Sequence, residues 1–306
     1  MGAHLAVGRS CHASSSQQWS TQRALTEFNR GRLSPATPGD NVPAELQRAH
    51  DMALLEHDFL EHERRLITVR AAQAPHEPAA FAAWFDALKE SGPGQFDPLF
   101  EFLAERATLA QLRWFIQQEV AGEAGFDDLV ALTQVRMPER AKLELARNYW
   151  DEMGRGKSGA MHGPMLATVA RILEVDGSDG EGIVPESQAL CNVLVGLSYN
   201  RRYAFHALGA LGAIELTAPT RAVKVVQAFD RLGIDRAASH YFRLHAVVDL
   251  AHAQTWRDEV LIPVVTERPE VARFIAEGAL MRLQAGARTY ERYRREFGLA
   301  DHALQA

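Results

Sequence analysis

The sequence has few cysteines, and this limits the chemistry it can support. Its 306 residues include only Cys11 and Cys191. Two cysteines this far apart do not make a disulfide framework, so a reducing, cytoplasmic location is the simple expectation. With so little thiolate, a metal ion in this chain would be held by histidine and carboxylate side chains, which favour iron, manganese or zinc.

Long hydrophobic runs, a basic excess and the common catalytic motifs are also missing. No run of about 18 apolar residues is present, so no transmembrane helix is expected, and residues 1–16 lack the apolar core of a secretion signal. The formal net charge of −6 argues against a nucleic-acid-binding protein. There is no G-x-G-x-x-G after a strand, no P-loop, no G-x-S-x-G and no H-E-x-x-H.

What is present is an ordinary globular composition with helical periodicity. Residues 1–42 are polar and aperiodic, which predicts a flexible arm or one that orders on a partner, and residues 43–306 predict a single all-α domain. The predicted helices are Ala44–Ala72, Pro78–Lys89, Phe96–Glu105, Thr108–Ala121, Phe126–Leu132, Glu139–Met153, Gly159–Leu173, Glu186–Leu197, Arg201–Leu216, Pro219–Arg231, Ala237–Ala253, Trp256–Val265 and Glu270–Phe297.

The sharpest local pattern lies in residues 241–256, YFRLHAVVDLAHAQTW. His245, Asp249 and His252 are spaced i, i+4 and i+7, so at about 100° per residue all three project from one face of a helix. The residues between them are mostly apolar, and a buried polar group without a partner is costly. A shared metal ion would satisfy all three, whereas a hydrogen-bonded His–Asp–His chain is the plainer interpretation.

A second pattern joins Glu152 and His162 across RNYWDEMGRGKSGAMH. On one unbroken helix these residues would be separated by roughly 15 Å of rise and could not share an ion. Gly154, Gly156 and Gly159 remove this objection, because they allow the chain to break and re-enter a helix. An ordinary helix end followed by an unrelated histidine would give the same pattern.

Two further carboxylates lie within strongly apolar helices. Glu119 stands in LRWFIQQEVAG and Glu215 in FHALGALGAIELTAP. A buried Glu seldom lacks a partner, so both are candidate ligands, although a Glu at a helix edge that extends into water is the alternative. His206 and His240 lie near the ligands in sequence and could form hydrogen bonds to them without binding the metal.

In chain order these residues resemble the ligand set of the haem-oxygenase-like di-iron oxidases, which are iron-containing redox enzymes. In that family one core helix offers a Glu, and the next core segment offers a Glu and then a His across a loosened stretch. A later helix offers a Glu about thirty residues before an H-x3-D-x2-H helix. The resemblance covers roughly residues 45–300 and rests on Glu119, Glu152, His162, Glu215, His245, Asp249 and His252.

The resemblance implies a haem-oxygenase-like multi-helix bundle with two iron ions, Fe(II) or Fe(III), and O2 as co-substrate. All seven side chains would be catalytic residues through their bonds to iron. One iron would be held by Glu119, His162 and His252. The other would be held by Glu215, His245 and Asp249, with Glu152 bridging or capping.

The resemblance also implies a small carboxylate-bearing substrate, which on family frequency derives from an amino acid. The reaction would be N-oxygenation or oxidative C–C cleavage in specialised metabolism, with oxidative decarboxylation of a fatty acid as the alternative. Arg201, Arg202, Tyr203 and Arg243 lie near the ligands in sequence and could bind a carboxylate. An external electron donor and a homodimer are compatible with the family, and neither nucleic acid nor membrane is expected as a partner.

Three other interpretations stay open. A ferritin-like di-iron bundle would need Glu-x-x-His on two helices, whereas this chain has one similar unit, Asp249-x-x-His252. A cofactorless or pyrroloquinoline-type oxidase on the same scaffold would not need Glu119, Glu152 and Glu215 together. A non-catalytic helical protein that stores metal or binds a partner would need no substrate at all.

Overall fold

Helices form all of the regular secondary structure that the structure describes. The computed structural model describes residues 15–37, 39, 41–175 and 182–299. Within these ranges it contains no β-strand, so the all-α prediction is confirmed. No helix among these residues is both long enough and apolar enough to cross a bilayer. Cys11 and residues 177–181 of the predicted Gly177–Gly182 break lie outside the described residues.

The helices form a single bundle domain and follow the predicted pattern at most positions. They are α1 (Ser15–Leu33), α2 (Val42–Ala71), α3 (Pro78–Ser91), α4 (Pro98–Glu105), α5 (Leu109–Gly122), α6 (Phe126–Thr133), α7 (Glu139–Glu152), α8 (His162–Leu173), α9 (Pro185–Tyr199), α10 (Ala204–Arg231), α11 (Arg236–Thr255), α12 (Ile262–Glu267) and α13 (Ala272–Glu296).

Helix α10 lies at the centre of the bundle, where it packs against α4, α9, α11 and α13. Its crossing with α13 requires glycine on both helices. A Cβ on Gly209 would lie 1.8 Å from the Ile275 carbonyl oxygen, and a Cβ on Gly278 would lie 1.8 Å from that of His206. The two backbones can touch only because neither glycine has a side chain. This contact fixes the position of α10, and with it Glu215.

The predicted break at Pro219 is wrong. Separate helices over Arg201–Leu216 and Pro219–Arg231 were expected, because proline has no backbone N–H and usually ends a helix. Instead α10 continues through a buried Pro219. Proline at this position removes the hydrogen bond that an amide would donate to the Glu215 carbonyl. Packing against α11 and α13 compensates for that lost bond, so the helix continues.

The predicted helix Trp256–Val265 is divided in two. A π-helical turn spans Trp256–Leu261 directly after α11, and α12 follows it. The Trp256 side chain is buried, and its Nε1 donates a hydrogen bond to the Leu208 carbonyl at 3.1 Å. This wider turn, a type often found near functional sites, ties the end of α11 to α10.

The predicted arm, residues 1–42, differs from expectation in its described part. Residues 15–33 form α1, which packs against α9, and Leu25 is fully buried. Asn192 on α9 accepts a hydrogen bond from Asn29 at 2.9 Å and donates one to the Gln22 side chain at 2.9 Å. The buried face of this helix is mostly polar, since it includes Gln22, Thr26 and Asn29, and it therefore leaves little apolar periodicity in the sequence. Residues 1–14 lie outside the described residues.

We expect Gly278→Ala to destabilise the protein by about 1–3 kcal/mol or more, because an added methyl group would force α10 and α13 apart. Gly31→Ala in α1 is the matched control, since nothing lies within 4 Å of its Cβ position. There alanine should stabilise by about 0.5–1 kcal/mol through helix propensity. Chemical denaturation measures both. A Gly278→Ala protein as stable as its parent would contradict the close crossing.

Candidate metal centre

A double turn between α7 and α8 brings Glu152 to His162. Helix α7 ends at Glu152, and two 3-10 turns, Gly154–Gly156 and Ser158–Ala160, lead into α8. Gly154 has φ 61°, and a Cβ there would lie 2.4 Å from the Ala160 carbonyl carbon. The folded turn places Glu152 Oε2 2.5 Å from His162 Nδ1, instead of the roughly 15 Å of an unbroken helix.

Helix α11 presents His245 and Asp249 to the same place. The His245 ring lies 4.6 Å from the His162 ring, centroid to centroid. His245 Nδ1 donates a hydrogen bond to the Tyr241 carbonyl at 2.7 Å, which leaves Nε2 with a free lone pair for a metal ion. Asp249 is buried one turn further along, and its Oδ1 has no hydrogen-bond partner.

Glu215 and His252 complete the cluster from α10 and from the end of α11. His252 Nδ1 lies 3.4 Å from Glu215 Oε2, and its Nε2 lies 3.3 Å from Asp151 Oδ2. The other oxygen of Glu215 accepts a hydrogen bond from Asn148 Nδ2 at 2.6 Å. Asn148 and Asp151 therefore orient two candidate ligands from behind, as is usual at metal sites.

Among the residues that the structure describes, two groups of donor atoms lie close enough together to hold an ion. One is Glu152, His162 and His245, and the other is Glu152, Glu215 and His252; within each group the donor atoms lie within 4.8 Å of one another. Glu152 belongs to both. The resemblance implied a different division, with His162 and His252 on one iron and His245 on the other. Glu119 and Asp249 belong to neither group but line the same cavity.

Burial and mutual repulsion shift the protonation of these groups. Burial, together with neighbouring Glu215, raises the pKa of Glu152 to about 9 and that of Asp249 to about 10. Burial lowers the pKa of His245 to about 4. Burial also tends to lower the pKa of His252, but the contacts of His252 with Glu215 and Asp151 outweigh burial and raise this pKa to about 9. At neutral pH Glu152, Asp249 and His252 therefore hold protons, which a bound metal ion would displace.

The residues present fit a bound iron centre. Among the described residues, Asp249 Oδ1 is buried without a hydrogen-bond partner, and neither His162 Nδ1, 2.5 Å from Glu152, nor His252 Nδ1, 3.4 Å from Glu215, makes a well-aligned hydrogen bond. Each of these atoms therefore has a lone pair or proton unaccounted for. The donors are carboxylate oxygens and imidazole nitrogens, which iron accepts readily. Buried Cys191 does not line this cavity.

A cavity of about 200 Å³ adjoins the cluster. Six of the seven predicted ligands line it, and His252 contacts one of those six, Glu215. Part of the wall is apolar, formed by Leu166, Leu190, Leu194 and Phe242. Such a wall limits the access of bulk water to the cluster.

The residues predicted to bind substrate lie elsewhere. Arg201 donates to the Leu132 and Thr133 carbonyls at 3.0 and 3.3 Å, and Tyr203 donates to Glu61 at 2.8 Å. Both belong to the 3-10 turn Arg201–Tyr203 that precedes α10, and Tyr203 lies roughly 18 Å of helix rise before Glu215.

The other predicted substrate contacts are also absent from the cavity lining. Arg202 lines a separate pocket beside Tyr203. Arg243 bonds to Ser239 and Asp230, on the side of α11 away from His245. His206 pairs with Glu277 at 3.0 Å, also in the separate pocket, and His240 is exposed. Proximity to the ligands along the chain was a poor guide to proximity in space.

Sequence analysis missed two arginines that line the cavity, Arg221 on α10 and Arg282 on α13. The available signal was Arg282 within ALMRLQAGA, a charged residue among small and apolar ones. This is the same kind of signal that singled out Glu215. Arg221 had no such mark, because its segment is more polar.

Gly154→Ala should weaken metal binding strongly, because alanine would clash with Ala160 and disfavour the positive φ of residue 154. Gly159→Ala in the same loop is the matched control, since nothing lies within 4 Å of its Cβ position. Ions bound per chain, counted after anaerobic loading with Fe(II), would separate the two variants. Equal metal content in both would contradict the role given to the turn.

The stability of the metal-free protein should fall as the pH rises from 6.5 towards 9. Glu152, Asp249 and His252 have pKa values of about 9, 10 and 9, above their ordinary 4.5, 3.8 and 6.5. Each therefore favours the folded state while protonated and loses that contribution as the pH rises. His245, with its pKa lowered to about 4, acts oppositely only below 6.5.

Metal should reverse this trend, because an ion replaces the bound protons. Thermal unfolding under nitrogen, with and without Mn(II), measures both effects, and Mn(II) should raise Tm more at the higher pH. Asp249→Asn should flatten the metal-free curve. A metal-free Tm that rises over this interval would contradict the assigned protonation states.

Solved structures share this fold. A CADD-like protein of unknown function from Nostoc punctiforme PCC 73102 is 21% identical, with a TM-score of 0.52 over 78% of this chain and 97% of that one. A domain of unknown function with a heme oxygenase-like fold from Shewanella denitrificans OS217 is 15% identical, with a TM-score of 0.53 over 71% and 90%. At these identities the likeness shows the haem-oxygenase-like fold alone.

The sequence itself identifies the family. No curated protein matches it. The family model described as "Iron-containing redox enzyme" matches residues 113–287, more than half of the chain. This segment contains every predicted ligand, from Glu119 to His252. The protein therefore belongs to the family of iron-containing redox enzymes.

Proposed function

We propose that this protein is an O2-dependent, non-haem di-iron oxidase or oxygenase. The observation that carries the proposal is that Glu152 belongs to two donor groups, one with His162 and His245 and one with Glu215 and His252. A carboxylate reachable from two sites is suited to bridging two ions. Membership of an iron-containing redox family and the oxygen and imidazole donors both favour iron.

Iron(II) bound here would supply electrons to O2 and so provide the oxidising power for the reaction. The chain's own residues would position and protect that chemistry. The hydrogen bond from His245 to the Tyr241 carbonyl fixes the imidazole orientation, and the hydrogen bond from Asn148 fixes Glu215. The apolar wall limits competing reactions with water.

For the substrate we propose a small carboxylate-bearing molecule derived from an amino acid, converted by N-oxygenation or oxidative C–C cleavage in specialised metabolism. Oxidative decarboxylation of a fatty acid is the second candidate, and the apolar lining from Leu166, Leu190 and Leu194 favours it. An external electron donor and a homodimer remain part of this proposal.

The test is to load metal-free protein with Fe(II) under nitrogen, count bound iron, and then add O2 while following visible absorbance. The parent should bind about two irons per chain, as the two donor groups imply, and oxidise them. His245→Ala and Glu215→Ala should bind markedly less, because each removes a donor. His240→Ala is the control, an exposed histidine on the same helix as His245.

The outcomes separate the open interpretations. One iron per chain in the parent would overturn the dinuclear proposal. Many irons per chain would indicate storage. No iron above background, with all variants equal to the parent, would leave a helical protein whose buried polar residues serve another purpose.

A further inference from the structure

Two arginines face the cavity and have no carboxylate within ion-pair distance among the residues that the structure describes. Arg282 is only 7% exposed, and its Nε has no hydrogen-bond partner. Its guanidinium fits against Gly286, where a Cβ would come within 2.6 Å of Nη1. The Arg221 guanidinium lies over the Tyr290 ring, 5.9 Å from its centroid. Both arginines line the same cavity as the ligand cluster.

The lack of a partner is unusual for this protein. Among the described residues, Arg32, Arg288 and Arg294, which are buried to differing extents, each form an ion pair with a carboxylate whose side chain is at most 8% exposed. No carboxylate lies within the 4.0 Å ion-pair distance of Arg221 or Arg282 in the described ranges. Arg282 also bonds to the Tyr290 side chain, and Glu119 attracts both guanidinium groups from beyond that distance. A buried guanidinium is costly unless it is closely paired, so a ligand carboxylate beside the two arginines would be stabilised.

The shape of the remaining cavity narrows the class of anion. Besides the two arginines and the ligand cluster, the lining includes Leu166, Leu190, Leu194 and Phe242. About 200 Å³ suits a small organic molecule rather than a peptide. A guanidinium fork binds carboxylates bidentately, and apolar walls favour an apolar body.

We propose that Arg221 and Arg282 bind the carboxylate of an organic acid whose apolar body lies along the leucine-lined wall beside the metal centre. The identification of this acid as the substrate rests on the proposed function, whereas the binding of the acid does not depend on that function. The carboxylate would anchor one end of the molecule and leave the rest directed at the metal cluster. This pair takes the role that sequence analysis gave to Arg201, Arg202, Tyr203 and Arg243.

The test is calorimetric titration with n-octanoate and with its uncharged amide, n-octanamide. The full chain would be used both metal-free and loaded with Fe(II) under nitrogen, so that no turnover occurs. Octanoate should bind at least tenfold more tightly than octanamide, as expected for hydrogen bonds to a charged group. L-norleucine, a third probe, distinguishes an amino-acid carboxylate from a fatty-acid carboxylate.

Variants assign the effect to the two residues. Arg282→Met and Arg221→Met should each weaken octanoate binding about tenfold or more and leave octanamide unchanged. Arg282→Lys should recover part of the loss, because it keeps the charge without the fork. Arg243→Met is the matched control, an arginine that does not line the cavity. Tm values establish that each variant folds. If Arg282→Met does not fold, Arg221→Met still tests the site, because Arg221 is partly exposed.

Failure of this inference is distinct from failure of the proposed function. No octanoate or norleucine binding in either metal state, or equal affinities in the parent and the arginine variants, would overturn the carboxylate site and leave the iron count unaffected. Binding that depends on both arginines in the metal-free protein would support the site even if the protein held only one iron.

Discussion

The structure is organised around a concentration of buried negative charge. Glu152, Glu215 and Asp249 lie together inside an apolar bundle, where an uncompensated carboxylate costs several kcal/mol. Asn148 and His252 contact Glu215, whereas Asp249 Oδ1 has no hydrogen-bond partner among the described residues, so the protein supplies only part of the compensation itself. Protons or metal ions must supply the rest. The tight helix crossing and the folded glycine turn keep these groups together despite their repulsion.

Sequence analysis reached the features of the centre that are local. His245, Asp249 and His252 lie on one helix face because the helical period alone determines it. The glycines between Glu152 and His162 indicated a break, because only such a break makes the pair useful. The contact itself depends on the left-handed conformation of Gly154 and on two short turns, which no periodicity encodes. The resemblance supplied the order of the ligands, but not how they group in space.

The features that sequence analysis missed depend on tertiary packing. Arg221 and Arg282 come from two helices that meet only because Gly209 and Gly278 allow it. Arg201 and Tyr203 lie in the turn just before the helix that carries Glu215, yet helical rise separates them from the cavity. Helix α1 was not predicted for a related reason, because hydrogen bonds between amide side chains across a helix interface leave no periodic pattern in the sequence. The fold class could be predicted from the sequence, whereas the contacts between packed helices could not.

Helix α10 bends more easily near its internal proline than at its crossing with α13. Pro219 leaves the Glu215 carbonyl without its usual helical hydrogen bond, so bending at this residue breaks no bond that was present. About two turns before Glu215, the Gly209 contact with α13 allows almost no displacement. One end of the helix segment is therefore stiff and the other compliant. A small change in the position of the Glu215 carboxylate can be absorbed by curvature of the main chain, while the helix crossing that supports the cavity stays in place.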